Sequence, residues 1–268
     1  TDAPGVQFSY GVSGTRVVWV DQSTGTDRVF VRDMADLANP AVFIHDGALP
    51  KISGNRIAFS LTSDTTQADI YVYDLSTGAT SAVLTDAGDQ HLLAISGKLL
   101  LFVDADGSLR VLDLESGTRT TVTSQNLLGG YASLSGTKVV WADTRDGTAD
   151  IFLIDLADPT HQETRLTAGT DVHIDPRISG NRVLWSSGKP TTPSWAELGP
   201  ELGDVDYNST VDIVDALMVS NFYVGNPLPR FFPSAADVNC SGAIDTVDAL
   251  MISQRYVGLI PRFPCQLE

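Results

Sequence analysis

The chain is poor in cysteine, in basic side chains and in histidine, and it has no long apolar run. Its 268 residues include 2 cysteines, 4 histidines, and 17 lysines and arginines against 33 acidic residues. The formal charge of -16 argues against a nucleic-acid partner, because a polyanion gives a phosphate backbone no counterion release. No stretch of about twenty apolar residues is present, so no helix of the chain is expected to span a membrane. H-E-x-x-H, G-x-S-x-G and a phosphate loop are also missing. His45, His91, His161 and His173 are scattered. His91 and His173 both stand at the head of a β-rich run and read as loop residues rather than a catalytic metal pair.

What the chain does have is a phrase repeated five times: VSGTRVVW, ISGNRIAF, ISGKLLLF, LSGTKVVW and ISGNRVLW. Its glycines are Gly14, Gly54, Gly97, Gly136 and Gly180. Four of the phrases are followed by a second run (RVFVRDM, DIYVYDL, SLRVLDL, DIFLIDL) that places Asp33, Asp74, Asp113 and Asp155 at equivalent points. A third run then follows. Each run is short, rich in Val, Ile, Leu and aromatics, and bounded by Gly, Asp, Ser or Thr, which predicts β-strands between turns. The glycine is expected at positive φ in a two-residue hairpin, and the aspartate is expected to cap the next turn through its carboxylate.

Four short strands at a period near forty predict the blades of a β-propeller. The phrases resemble the TolB-like and WD40-like propeller repeats over about residues 7–187. The expected architecture is an all-β propeller with about five blade positions, four complete blades and a half blade, in a domain over 1–187. Propellers host binding, scaffolding and catalysis alike, so the resemblance implies a fold rather than an activity. A half blade leaves a bare strand edge. Three ways of covering it are open: the proline-rich linker 188–202 in irregular form, a flattened ring that closes early, or strands from another molecule, which would repeat head to tail.

From Gly203 the text changes to GDVDYNSTVDIVDALMVSNFYVG, and it returns from Ala236 as ADVNCSGAIDTVDALMISQRYVG, offset by 33 residues. Each copy spaces oxygen-bearing side chains at positions 1, 3, 5, 9 and 12 of a calcium loop, with a backbone carbonyl at 7. The first set is Asp204, Asp206, Asn208, Asp212 and Asp215 with the Thr210 carbonyl. The second is Asp237, Asn239, Ser241, Asp245 and Asp248 with the Ala243 carbonyl. Calcium is a hard cation that takes six to eight oxygens, and alternate residues of a tight loop converge on one centre. Two calcium ions are therefore expected. Ser209 replaces the usual glycine at position 6 of the first loop, whereas the second keeps Gly242. Helices are predicted over 213–223 and 246–256, with Val214, Leu217 and Met218 on one face and Val247, Leu250 and Met251 on the other forming the core between them.

Asp215 and Asp248 where an EF-hand has Glu, and no helix before either loop, make this tandem resemble a type I dockerin over 203–268. The resemblance implies a small α-helical, calcium-binding domain and a cohesin-like protein partner. It places partner contacts at Ile213, Val214, Thr246 and Val247, and later on the helices at Asn221 and Gln254. The hydroxyl pair familiar in that family is absent here.

Cys240 and Cys265 both fall in this module. They read as a disulfide in an exported protein, the alternative being two free thiols. By the chain-entropy relation such a loop adds roughly 3.5 kcal/mol. Thr1-Asp2-Ala3-Pro4 is compatible with the start of a chain after removal of an export signal. The expected function is a non-catalytic secreted or cell-surface structural and interaction protein, with the propeller as rigid body and the calcium module as attachment point, assembling head to tail with copies of itself. The rival expectation is a polysaccharide-binding or polysaccharide-cleaving component of a cellulosome-like system.

Overall fold

In a computed structural model the chain is described at all positions except 1–6, 63–66, 125–126, 159, 189–191, 200, 209, 227, 229–230 and 265–268. It divides into two compact units, one of Thr1–Ser179 with Leu184–Trp195, the other of Gly180–Val183 with Ala196–Glu268. No helix among the described residues is long and apolar enough to cross a membrane.

Five antiparallel sheets follow one another along the chain, each built from strands consecutive in sequence. The first holds β1 (Gln7–Ser13), β2 (Arg16–Asp21), β3 (Arg28–Asp33) and β4 (Val42–Asp46). The second holds β5 (Ala48–Ser53), β6 (Arg56–Thr62), β7 (Ala68–Asp74) and β8 (Ala79–Leu84). The third holds β9 (His91–Ser96), β10 (Leu99–Val103), β11 (Leu109–Asp113) and β12 (Arg119–Thr123). The fourth holds β13 (Leu127–Ser135), β14 (Lys138–Asp143), β15 (Asp150–Asp155) and β16 (Thr164–Arg165). The fifth has three strands, β17 (His173–Ser179), β18 (Arg182–Ser187) and β19 (Thr192–Glu197).

The recurring residues do the work their spacing predicts. All five repeat glycines sit between φ 55 and 58°, and Ser13 pairs with Arg16 across the two residues of the turn. A side chain would strain that backbone, whereas glycine enters it freely. The four aspartates accept backbone N–H bonds two residues on: Asp33 from Ala35 at 2.9 Å, Asp74 from Ser76 at 2.7 Å, Asp113 from Glu115 at 2.9 Å and Asp155 from Ala157 at 3.0 Å. The Ser76 hydroxyl and N–H hold the Asp74 carboxyl below the usual carboxylate range.

Each core lies between two consecutive sheets rather than within one. Val18, Val29, Val31 and Ile44 of the first sheet pack on Ile52, Ile57 and Phe59 of the second. Ala58, Ile70, Val72 and Leu84 then meet Leu92, Ile95, Leu100 and Phe102 of the third. Leu101, Leu109, Val111 and Val122 meet Leu134, Val139, Trp141 and Phe152 of the fourth. A polar bond stitches each of these seams at the turns. The repeat serine of one sheet accepts the repeat glycine's N–H of the next, as Ser13 from Gly54, Ser53 from Gly97 and Ser96 from Gly136, each at 2.9 Å.

The edge left by the half blade is covered by the chain itself, but not in irregular form. Residues of the proline-rich stretch supply β19, so the fifth sheet has a third strand. Pro193 is tolerated because β19 is an edge strand, where one N–H is not needed by a ladder.

Two substitutions test this account. A Cβ at Gly97 would meet nothing within 4 Å, so Gly97→Ala isolates backbone strain and should cost about 1 kcal/mol in urea unfolding. Trp141 is fully buried in its seam, and Trp141→Ala should cost about 3–5 kcal/mol.

Candidate functional site

The second unit holds two helices, α1 (Ile213–Tyr223) and α2 (Thr246–Tyr256), each entered through an acidic loop. Asp212 and Asp245 are the N-caps, accepting from the N–H groups of Val214 at 2.6 Å and Val247 at 2.7 Å. Asp215 and Asp248 return the bond to the cap residue's own N–H at 2.8 and 2.9 Å. This is a capping box built from two aspartates. The helices therefore start where they do because the loop's last carboxylates satisfy the orphan N–H donors of the first turn.

The same two carboxylates reach back to the head of their loops. Asp215 accepts from Val205 at 2.8 Å and Asp206 at 3.3 Å; Asp248 accepts from Val238 at 3.0 Å and Asn239 at 3.3 Å. Position 1 closes the middle of each loop, with Asp204 accepting from Asn208 at 3.0 Å and Asp237 from Ser241 at 3.0 Å and Gly242 at 2.9 Å. Gly242 has φ +83° at position 6, as its place predicts. Ser209, the corresponding residue of the first loop, lies outside the described residues.

Tyr207 and Cys240, at position 4 of each loop, also have positive φ, 59 and 55°. Nothing in their identity announces it, since non-glycine residues avoid this region at a cost of about 1–2 kcal/mol. Tyr207 is held there by its hydroxyl donating to the Leu198 carbonyl at 2.6 Å and by its ring against Phe232. The matching offsets of the two copies are the one signal that could have flagged the pair.

The first loop brings carboxylate oxygens of Asp204, Asp206 and Asp215 within 4.8 Å of one another, with Asp204 and Asp215 buried. Burial, and then Asp206 beside it, push the Asp215 carboxyl up, against the pull of three backbone N–H groups. Three carboxylates at this spacing repel unless a cation lies among them. The donor set fits a hard divalent ion, and all its donors are oxygens. Asn208 and Thr210 are tied to each other at the loop's middle, the Thr210 N–H donating to Asn208 at 2.9 Å. In the second loop Asn239 accepts from Ser241 at 2.8 Å, and the Ser241 hydroxyl bonds the Ala243 carbonyl at 3.1 Å. Cys240 belongs to this loop; Cys265, its expected disulfide partner, lies outside the described residues.

The helix core differs from expectation. Val214, Leu217, Val247 and Leu250 are exposed, and the buried positions are Ala216, Val219, Ala249 and Ile252, with Met218 and Met251 packed against them. Small alanines let the two helices approach closely, and the large aliphatic residues are left outside. Val214, Leu217 and Leu250 line a groove of about 490 Å³ together with Ile213, Thr246, Ser220, Ser253 and the outer edges of Ala216 and Ala249. Of the partner positions named from the sequence, the groove gathers Ile213, Val214 and Thr246. Val247 is exposed nearby, while the Asn221 side chain accepts a bond from Asn226 and the Gln254 carbonyl accepts from Leu259.

In the first unit His91 is exposed at the head of β9, and His173 is buried with Nδ1 2.8 Å from the Ser187 hydroxyl.

Residues 202–256 match the family model of the dockerin type I domain. No curated protein matches the sequence. Among solved structures the chain is similar to a putative TolB from Agrobacterium tumefaciens, at 18% identity and TM-score 0.53, over 69% of this chain and 70% of that one. It is also similar to TolB from Acinetobacter baumannii, at 19% identity and TM-score 0.50, over 72% and 57% of the two chains. At these identities the likeness is one of fold: a β-propeller precedes a dockerin type I domain.

Asp248→Ala tests the architecture of the second loop. It strands three backbone donors, at Val238, Asn239 and Asp245, and should lower the stability of this unit by about 3 kcal/mol or more in urea, without altering the propeller's own transition.

Proposed function

We propose that this is a non-catalytic extracellular protein in which a propeller body is attached to other proteins through a calcium-dependent dockerin module. The observation that carries the reading is the carboxylate cluster Asp204, Asp206 and Asp215, two of them buried, in the same small unit as a groove of exposed aliphatic side chains. The first ion would be held by Asp204, Asp206, Asn208, the Thr210 carbonyl, Asp212 and Asp215. The second would be held by Asp237, Asn239, Ser241, the Ala243 carbonyl, Asp245 and Asp248. Calcium supplies positive charge where the loop concentrates negative charge, and binding only to the folded loops stabilises them by mass action.

A partner that covers Ile213, Leu217 and Leu250 removes apolar surface from water, which is the dominant favourable term in such associations. The partner proposed is of the cohesin type, and assembly of copies through the propeller is the second mode of attachment. An oxidised Cys240–Cys265 pair would tie the second loop to the end of the module and suits an exported protein.

Calorimetry should show uptake of about two calcium ions by the wild type and of about one by Asp206→Ala. Saturation at a hundredfold over the dissociation constant should add about 2.7 kcal/mol to the module. Binding to immobilised type I cohesins should require calcium and should fall at least about tenfold in Leu217→Asp. Calcium uptake without binding to any cohesin would remove the partner but keep the metal, whereas no uptake would remove both.

A further inference from the structure

The seams between sheets are a repeated interface, and the two terminal sheets each carry one unused half of it. The position two residues before the repeat glycine is Ile52, Ile95, Leu134 and Ile178 in the second to fifth sheets, each 7–8% exposed against the preceding sheet. In the first sheet the same position is Val12, which is 63% exposed, and Tyr10 beside it is 77% exposed. Tyr10 continues across the sheet into Trp19, Phe30 and Phe43, paired strand to strand on one face. Trp19 stacks on Phe30, and Phe30 meets Phe43 edge to face.

The last sheet shows the converse. The position four residues after the repeat glycine is Val18, Ala58, Leu101 and Val140 in the first four sheets, all fully buried under the sheet that follows. In the fifth it is Leu184, at 50% exposure. A backbone bond from Leu198 to the Asn181 carbonyl repeats those of Met34 to Thr15, Leu75 to Asn55 and Leu114 to Lys98. That register puts Trp195 in the place of the buried Val31, Val72 and Val111, and Trp195 is 67% exposed. The stitching bond is halved in the same way. Among the described residues the Ser179 hydroxyl and the Gly14 N–H make no hydrogen bond, whereas their counterparts at three inner seams bond each other.

We propose that the fifth sheet of one copy packs on the first sheet of another, repeating the internal seam. Leu184 and Trp195 then cover Val12 and Tyr10, and Ser179 accepts from Gly14. The occupant is a second copy because the complement of each exposed face is found on this chain and is itself uncovered. The two faces are unlike, so the contact is heterologous: it does not saturate in a pair, and copies add end to end. This rests on the reading of the chain as an assembling, non-catalytic body, and it names the surface and its residues.

Sedimentation velocity over a wide range of concentration tests it. The wild type should form a series of growing oligomers, in calcium and equally in a chelator. That indifference separates the seam from attachment through the calcium module, so either can fail alone. Val12→Asp and Trp195→Asp should each stay monomeric, with half-association shifted upward by about tenfold or more. Their circular dichroism should be unchanged, both side chains being exposed. Val12→Thr, isosteric and compatible with a strand, should weaken association in the same direction if aspartate disturbs the sheet. An equimolar mixture of the two aspartate variants should give a one-to-one dimer and nothing larger, because each supplies the face the other lacks. A wild type monomeric throughout, variants that associate like the wild type, or a mixture that stays monomeric would each overturn the proposal.

Discussion

A sheet that is apolar on both faces has to bury both, and this requirement organises the first unit. Each blade covers one face with the blade before it and the other with the blade after it, so the cores run between blades. The burial of Ile57, Leu100 and Val139 depends on a neighbour's strands rather than on their own sheet. The serine-to-glycine bond at each turn fixes how far one blade is rotated against the next, because it couples the tightest points of successive hairpins. Packing supplies the free energy here, and the polar stitch supplies the register.

The second unit solves a different problem with carboxylates. It is small, and its helices are only eleven residues long, too short to be stable in isolation. Asp215 and Asp248 each bond the N–H of the residue that caps a helix and collect the donors at the head of a loop, and Asp215 also stands next to Asp204 and Asp206, so one group links helix start, loop closure and charge concentration. Ile213, Val214, Leu217, Val247 and Leu250 take no part in this polar framework and stay exposed.

Much of this could be read in the sequence, and the parts that could not share a cause. Turn glycines, the aspartate caps and the helix limits follow from local chemistry, and Gly14, Asp33, Asp212 and Asp245 behave as that chemistry dictates. The stitch from Ser13 to Gly54 is invisible in the sequence because it joins residues 41 apart whose local roles are already explained. The helix face was misassigned because α1 reads Ile-Val-Asp-Ala-Leu-Met-Val, apolar almost all round, and size suggested Leu217 for the core. Close approach of the helices instead selected Ala216 and Ala249. The strand β19 was masked by prolines, which an edge strand accepts. The left-handed backbone at Tyr207 and Cys240 had no compositional signal at all.

Among the described residues every strand in the propeller pairs only with strands adjacent to it in the chain. No pairing has to wait for a distant segment to be synthesised, and the entropy of closing each hairpin loop is small. A nascent chain can therefore complete one blade as it emerges and offer it at once as the template on which the next blade condenses, so that growth on the ribosome follows the order of the finished molecule.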